Sequence, residues 1–195
     1  MSLSKQAKTL TKSQIDALLI HVGNGRHAIR NRLIVLVSVR AGLRAKEIAH
    51  VTWSRVLNSD GSIADDIALT NAASKGSSGR RVPMAKDLKR ALMDWRSEVG
   101  ITDQGARVIT TERSQSTSAQ AVGNMFVSWY AALGFSGCSS HSGRRAFITV
   151  AARRISTVGG SLRDVQSLAG HSSLTTTQRY IEVNAEAKQT VVELV

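Results

Sequence analysis

Apolar side chains recur every three or four positions through most of the chain, which is the spacing of helices that bury one face. The first such helix begins after Thr11, which forms a capping box with Gln14, and ends before Gly23. The second covers about residues 27–41 and ends at Gly42. Further helices are predicted at about residues 43–48, 86–99, 118–133, 141–155, 162–169 and 173–180.

The helical spacing of apolar residues is lost between residues 51 and 84, where short apolar runs are separated by turn residues. Three strands are predicted there, at residues 51–57, 65–70 and 80–84, with a Gly- and Ser-rich turn before the last. Pro83, the only proline, suits an edge strand. The predicted fold class is therefore mainly α with a small three-stranded antiparallel sheet, an α+β domain.

Charge gives the first indication of a partner. The 195 residues suffice for one well-buried domain, and 26 Lys and Arg against 14 Asp and Glu give a net charge of +12. The positive electrostatic potential that this charge creates favours binding of a polyanion. An anionic membrane surface is the alternative, but no single amphipathic helix concentrates the basic residues. The chain shows no apolar run of about 18 residues and no secretory leader, so we expect no membrane association and a cytoplasmic protein.

Cysteine and histidine usage limits metal chemistry. Cys138 is the only cysteine, which excludes an intrachain disulfide, and no Cys/His cluster has zinc spacing. We therefore predict neither a structural metal nor a cofactor. The sequence also lacks a Walker-type phosphate loop and a G-x-S-x-G elbow, so any chemistry must come from bases, arginines and a hydroxyl.

The segment LAGHSSLTTTQRY, residues 168–180, carries the most distinctive pattern. One helix should end at Gly170 with His171 just past it, and a second short helix should place Tyr180 on one face with Thr176 and Thr177. A corner between the two helices can bring His171 and Tyr180 to one cleft. An isolated pair of this kind is more often a half-buried core tyrosine and a turn histidine, so the interpretation depends on partners elsewhere.

Three other segments supply such partners. In AGLRAKEI, Arg44 and Glu47 are three residues apart and can pair on a helix. In HSGRR, His141 and Arg144 have the same spacing at a helix start. Lys75 lies in the turn of KGSSGRRVP, where a solvated basic residue is the ordinary interpretation. Each motif alone is common.

Taken together and in their order along the chain, the four segments resemble the tyrosine recombinases, the phage integrase family. The resemblance covers about residues 11–183 and implies the catalytic-domain fold of that family. It leaves residues 1–10 as a flexible leader and residues 184–195 as a helical tail, in which Ala187, Val191 and Leu194 share one face.

The resemblance also implies a reaction, the displacement of a DNA phosphodiester by Tyr180. Arg44 and Arg144 would bind the nonbridging oxygens, with Glu47 steadying Arg44. Lys75 would protonate the leaving 5′ oxygen. His141 would serve as general base or acid, and His171 would bond the phosphate. Three further arginines are predicted to contact DNA, namely Arg80, Arg81 and Arg145.

The implied function is that of a site-specific recombinase that forms a 3′-phosphotyrosyl link and rejoins strands without metal or ATP. A type IB topoisomerase-like nicking and closing enzyme and a non-catalytic DNA-binding regulator with the same fold are the alternatives. One departure from the family pattern is Gly143, where an apolar residue is usual, and we expect looser packing there.

The expected partners are double-stranded DNA and further copies of the chain. By family analogy four protomers would act on DNA, and the free protein would be a monomer, encoded by a bacterium, phage or plasmid. The tail could dock on a neighbouring protomer. Nothing before Thr11 could form the separate N-terminal clamp domain of larger family members, so we expect either a short single-domain recombinase or a catalytic fragment.

Overall fold

A computed structural model describes residues 7–70, 79–101, 103–112, 114–180 and Val192. Within these residues the chain forms eight α-helices and one two-stranded sheet. The elements are α1 Lys12–Gly23, α2 Ala28–Arg40, α3 Ala45–His50, β1 Asp66–Leu69, β2 Arg80–Pro83, α4 Lys86–Val99, α5 Ala119–Ala132, α6 Ser142–Arg154, α7 Leu162–Ala169 and α8 Leu174–Gln178. The eight helices predicted between Thr11 and Tyr180 are all present.

Helix α2 is the centre of the main core. Every residue from Leu33 to Val39 is buried, because α1, α4 and α6 pack around the helix. An α-helix surrounded in this way is apolar on all sides. The exception is Ser38, whose hydroxyl is buried and has no hydrogen-bond partner among the described residues.

A second, smaller apolar cluster holds the C-terminal part of the described chain. Ile148 of α6 packs with Val165 and Ala169 of α7, and the ring of Tyr180 contacts the same cluster. Helix α6 also contacts α2, so it joins the two clusters. The segment from α7 to Tyr180 is thereby held against the domain core.

The sheet has one strand fewer than expected. Strands β1 and β2 pair antiparallel, with Asp66 opposite Pro83. The third predicted strand, residues 51–57, is not confirmed, because that segment contains a 3-10 helix at Trp53–Arg55 and two isolated bridges. Its backbone bonds instead to the loop at residues 104–108, and this leaves the indole of Trp53 buried in the core.

Two other expectations concern the ends of the chain. The described end of the predicted leader is packed, since Leu10 is buried and the N–H of Lys8 donates to the carbonyl of Gly137 at 3.0 Å. The predicted tail lies outside the described residues apart from Val192.

The longest helices in the described ranges have 14 residues, and none of them is long and apolar enough to cross a membrane.

Gly143 of α6 lies directly against Ser38 and Val39 of α2. A Cβ atom on this buried glycine would lie 2.3 Å from the Oγ of Ser38 and 3.1 Å from the Cγ1 of Val39. The expectation of looser packing at Gly143 was therefore wrong. The glycine permits tight packing that a larger residue would obstruct.

We predict that Gly143→Ala lowers the free energy of unfolding by about 1–3 kcal/mol, the usual cost of an added methyl group in a close-packed core. Urea denaturation monitored by circular dichroism measures the change. Ser38→Ala removes the opposing hydroxyl, so it should restore part of the loss in the double variant and cost little alone. A Gly143→Ala protein as stable as the wild type would contradict this packing.

Candidate active site

Glu47 lies at the centre of the site with no exposed surface. Its carboxylate accepts hydrogen bonds from the backbone N–H of Arg44 at 2.8 Å and from the Arg44 Nη1 at 3.0 Å. The guanidinium of Arg80 donates to both carboxylate oxygens, at 2.8 and 3.2 Å. Burial alone would raise the pKa of Glu47, but the hydrogen bonds and charges of the two arginines hold that pKa below its ordinary value. The carboxylate is therefore ionised.

Arg80 is itself interior, with a side chain only 5% exposed. Besides its two bonds to Glu47, it donates from Nε to the carbonyl of Leu168 at 2.8 Å. The geometry does not support the prediction that Arg80 contacts DNA, because each of its side-chain nitrogens is directed at a protein oxygen.

Arg144 occupies the first turn of α6 and is 3% exposed. Its Nη1 donates to the carbonyl of Gly42 at 2.6 Å and its Nη2 to the carbonyl of Ala169 at 2.5 Å. Burial and the nearby charge of Arg44 lower the pKa of Arg144 to about 10, so the guanidinium stays positive at neutral pH. Its position is fixed by the ends of α2 and α7.

The corner after α7 brings His171 and Tyr180 together, as predicted. Gly170 caps α7 in the left-handed conformation, and the rings of His171 and Tyr180 stack with centroids 5.5 Å apart. The Nδ1 of His171 lies 3.0 Å from the hydroxyl of the buried Thr177. The guanidinium of Arg145 lies 5.1 Å from the centroid of the Tyr180 ring, within the range of a cation–π interaction.

Both histidines of the site are neutral at neutral pH. Burial and then the charges of Arg144, Arg44 and Arg80 lower the pKa of His171 to about 4. Burial and the charges of Arg144 and Arg44 also lower the pKa of His141. Three guanidinium groups thus surround one carboxylate, and this local excess of positive charge favours an anionic ligand.

The other predicted site residues are not part of the cluster around Glu47. Lys75 lies outside the described residues. Arg81 is exposed on β2 and pairs with Asp66 at 2.9 Å, an interaction that raises the pKa of Arg81. Arg145 also donates to the hydroxyl of Thr9 at 3.3 Å. The DNA contacts of Arg81 and Arg145 stay predictions.

Thr177 and the backbone carbonyls that hold Arg144 were not among the predicted site groups. The helical spacing of Thr177 and Tyr180 was the available signal for the first. The carbonyl contacts join residues 102 and 25 positions apart in the chain, so no local pattern reports them.

The arrangement suits phosphoryl transfer to a phenol oxygen. Planar guanidinium groups match the oxygens of a phosphate, a neutral imidazole can accept a proton or donate a hydrogen bond, and a tyrosine hydroxyl can serve as nucleophile. No group of three or more His, Cys, Asp or Glu within the described ranges is placed to hold a metal ion.

Comparison with known proteins identifies relatives of this chain. Residues 8–187 match the family described as the Phage integrase family. The chain is 28% identical over 188 residues to tyrosine recombinase XerC of Yersinia pestis, covering 95% of this chain and 58% of that protein. It is 29% identical over 187 residues to tyrosine recombinase XerA of Thermococcus kodakarensis, covering 92% and 59%. The chain thus spans less than two thirds of these relatives.

Solved structures with the same fold include the Tn1549 transposon integrase in complex with a circular intermediate DNA. It superposes with a TM-score of 0.75 at 19% identity, covering 97% of this chain and 66% of that one. The crystal structure of XerA recombinase gives a TM-score of 0.69 at 23% identity, covering 95% and 64%. The fold is therefore that of tyrosine recombinase catalytic domains, with a two-stranded sheet in the described residues.

The lowered pKa of His171 predicts a pH-dependent stability. Below pH 6.5 the unfolded chain binds a proton that the folded chain resists down to about pH 4, so stability falls across this window and is unaffected above it. The loss is on the order of 1–3 kcal/mol, since a tenfold difference in proton affinity corresponds to about 1.4 kcal/mol and solvent screens part of the effect at this half-buried side chain.

His171→Gln should therefore flatten the dependence of unfolding free energy on pH between 6.5 and 4. Urea denaturation at half-unit pH intervals measures it, and the difference from wild type isolates His171 from the other titrating groups. Equal slopes for wild type and His171→Gln would show that the histidine is not shielded as described.

Proposed function

Since the chain belongs to the phage integrase family, we propose that it is a site-specific recombinase that cleaves and rejoins DNA through a covalent 3′-phosphotyrosyl intermediate. The observation that most strongly supports this is the position of Tyr180. Its ring stacks on a neutral His171, and Tyr180 lies near enough to the guanidinium of Arg144 to interact with it electrostatically. A DNA binder without catalysis has no need of this arrangement.

In the first step the Tyr180 hydroxyl oxygen bonds to phosphorus and the bond from phosphorus to the 5′ oxygen breaks. The tyrosine proton passes to His141, and Lys75 gives a proton to the departing oxygen. Arg44 and Arg144 neutralise the nonbridging oxygens as their charge increases. These roles are those that the family resemblance implies, and all of them belong to the proposal.

His171 is proposed to act on the phosphate rather than on the tyrosine. Its ring stacks on the tyrosine ring, at 23° between planes. A hydrogen bond from the Thr177 hydroxyl to Nδ1 would leave the proton on Nε2, where it can be donated to a nonbridging oxygen. Thr177 would then fix the tautomer.

The phosphotyrosyl link retains the energy of the broken bond. A second 5′ hydroxyl can attack it, form a new phosphodiester and release the tyrosine, so strand exchange needs neither ATP nor a metal ion under this proposal. The alternatives of a topoisomerase-like enzyme and a non-catalytic regulator are not favoured, since the relatives are recombinases.

Double-stranded DNA is the proposed partner. The net charge of +12 supports it, as does the complex of the Tn1549 transposon integrase with a circular intermediate DNA. Because recombination joins two duplexes, with two strands exchanged in each, we propose four protomers on DNA. We also propose that residues 184–195 dock within that assembly, either on their own domain or on a neighbouring protomer.

Tyr180→Phe tests the reaction. We expect wild-type protein to become covalently attached to a nicked suicide duplex taken from the junctions of the element that encodes it. Attachment should fall at least about 1,000-fold in the variant, because the nucleophile is lost. Denaturing gels measure the adduct, and filter binding should show unchanged affinity. The reaction should proceed with EDTA and without ATP.

The other tyrosine supplies a matched control. Tyr130 is buried in α5 and its hydroxyl has no hydrogen-bond partner among the described residues, so Tyr130→Phe should react like wild type. An adduct in Tyr180→Phe would refute Tyr180 as nucleophile. No adduct in any protein, with duplex binding intact, would refute the proposed cleavage.

A further inference from the structure

We propose that Arg80 is a positioning residue that aligns Arg44 and His171 on the scissile phosphate. This inference rests on the proposed function, since it concerns the same site. Arg80 would not touch DNA or the reacting atoms. It would act through two protein groups, the carboxylate of Glu47 and the carbonyl of Leu168.

The contacts of Arg80 join three separate elements. From strand β2 its guanidinium donates two bonds to Glu47 on α3 and one to Leu168 on α7. A guanidinium is a rigid planar fork, so these bonds fix distance and orientation together. Its side chain is buried, which protects the bonds from competing water.

The first consequence is for Arg44. Its side chain is 25% exposed and donates a hydrogen bond from Nη1 to Glu47. Both oxygens of that carboxylate also accept hydrogen bonds from Arg80. A buried carboxylate left with one cation would attract that cation strongly. Arg80 neutralises part of the charge of Glu47. The exposed part of the Arg44 side chain therefore stays available to bind a ligand.

The second consequence is for His171. The last carbonyls of a helix lack partners within it, and Arg80 bonds the Leu168 carbonyl three residues before His171. Gly170 makes room for this contact, because a Cβ there would lie 2.8 Å from the Arg80 Nη1. The backbone that leads into His171 is thus held by Arg80.

Arg80→Lys keeps the charge but removes the fork, so it tests positioning. Single-turnover adduct formation is measured with excess protein on the suicide duplex, once with an ordinary scissile phosphate and once with a methylphosphonate there. Arg26→Lys is the control, since Arg26 is exposed and pairs only with the exposed Glu112 in the described residues. Circular dichroism confirms folding at the assay temperature.

We expect Arg80→Lys to bind the duplex as wild type does and to react about 100-fold more slowly with the phosphate, the typical cost of a misplacement near 1 Å. The deficit should shrink at least about 10-fold with the methylphosphonate, whose missing charge leaves less for Arg44 to neutralise. Arg26→Lys should match wild type on both duplexes.

Equal rates for Arg80→Lys and wild type would overturn the inference, and so would an equal deficit on both duplexes, which indicates a general structural defect. If Arg80→Lys does not fold, Glu47→Gln/Arg80→Gln removes both charges and should show the same pattern. Wild-type protein that forms no adduct on the phosphate duplex would refute the proposed function itself, and this inference with it.

Discussion

The ionised carboxylate of Glu47 is the constraint on which the rest of the site depends. A charge with no exposed surface is stable only when it is paired and hydrogen-bonded, and Glu47 obtains its partners from Arg44 and Arg80. Because these partners come from different elements, α3 and β2 have to lie next to each other at Glu47. Arg80 also binds the end of α7, which is therefore held at the same place. The site is in this sense part of the domain core.

Close packing of the helices supplies the other half of the site. Gly143 lets α6 approach α2, and the Arg144 guanidinium then reaches the carbonyls of Gly42 and Ala169. Gly42 adopts a positive φ of 63°, and the ring of Phe147 lies where a Cβ would project. Arg44 follows two residues later. The turn after α2 thus brings the two predicted phosphate-binding arginines into the same site.

Local patterns predicted the helices and the corner that joins His171 to Tyr180, because caps, glycines and apolar spacing are local signals. They did not predict that residues 51–57 would bond to the loop at 104–108, since a short apolar run does not reveal its pairing partner. Arg80 was taken for a DNA contact because a basic sequence does not show that its carboxylate partner lies 33 residues earlier. The roles of Lys75 and of residues 184–195 stay predictions.

The most direct test of this account is the unfolding free energy of Glu47→Gln. The substitution keeps the shape and removes the charge, leaving Arg80 buried without its counter-ion. We expect a loss of about 3–5 kcal/mol in urea denaturation. Glu112→Gln, which breaks the exposed pair with Arg26, should cost less than about 1 kcal/mol. A Glu47→Gln protein as stable as Glu112→Gln would contradict the account.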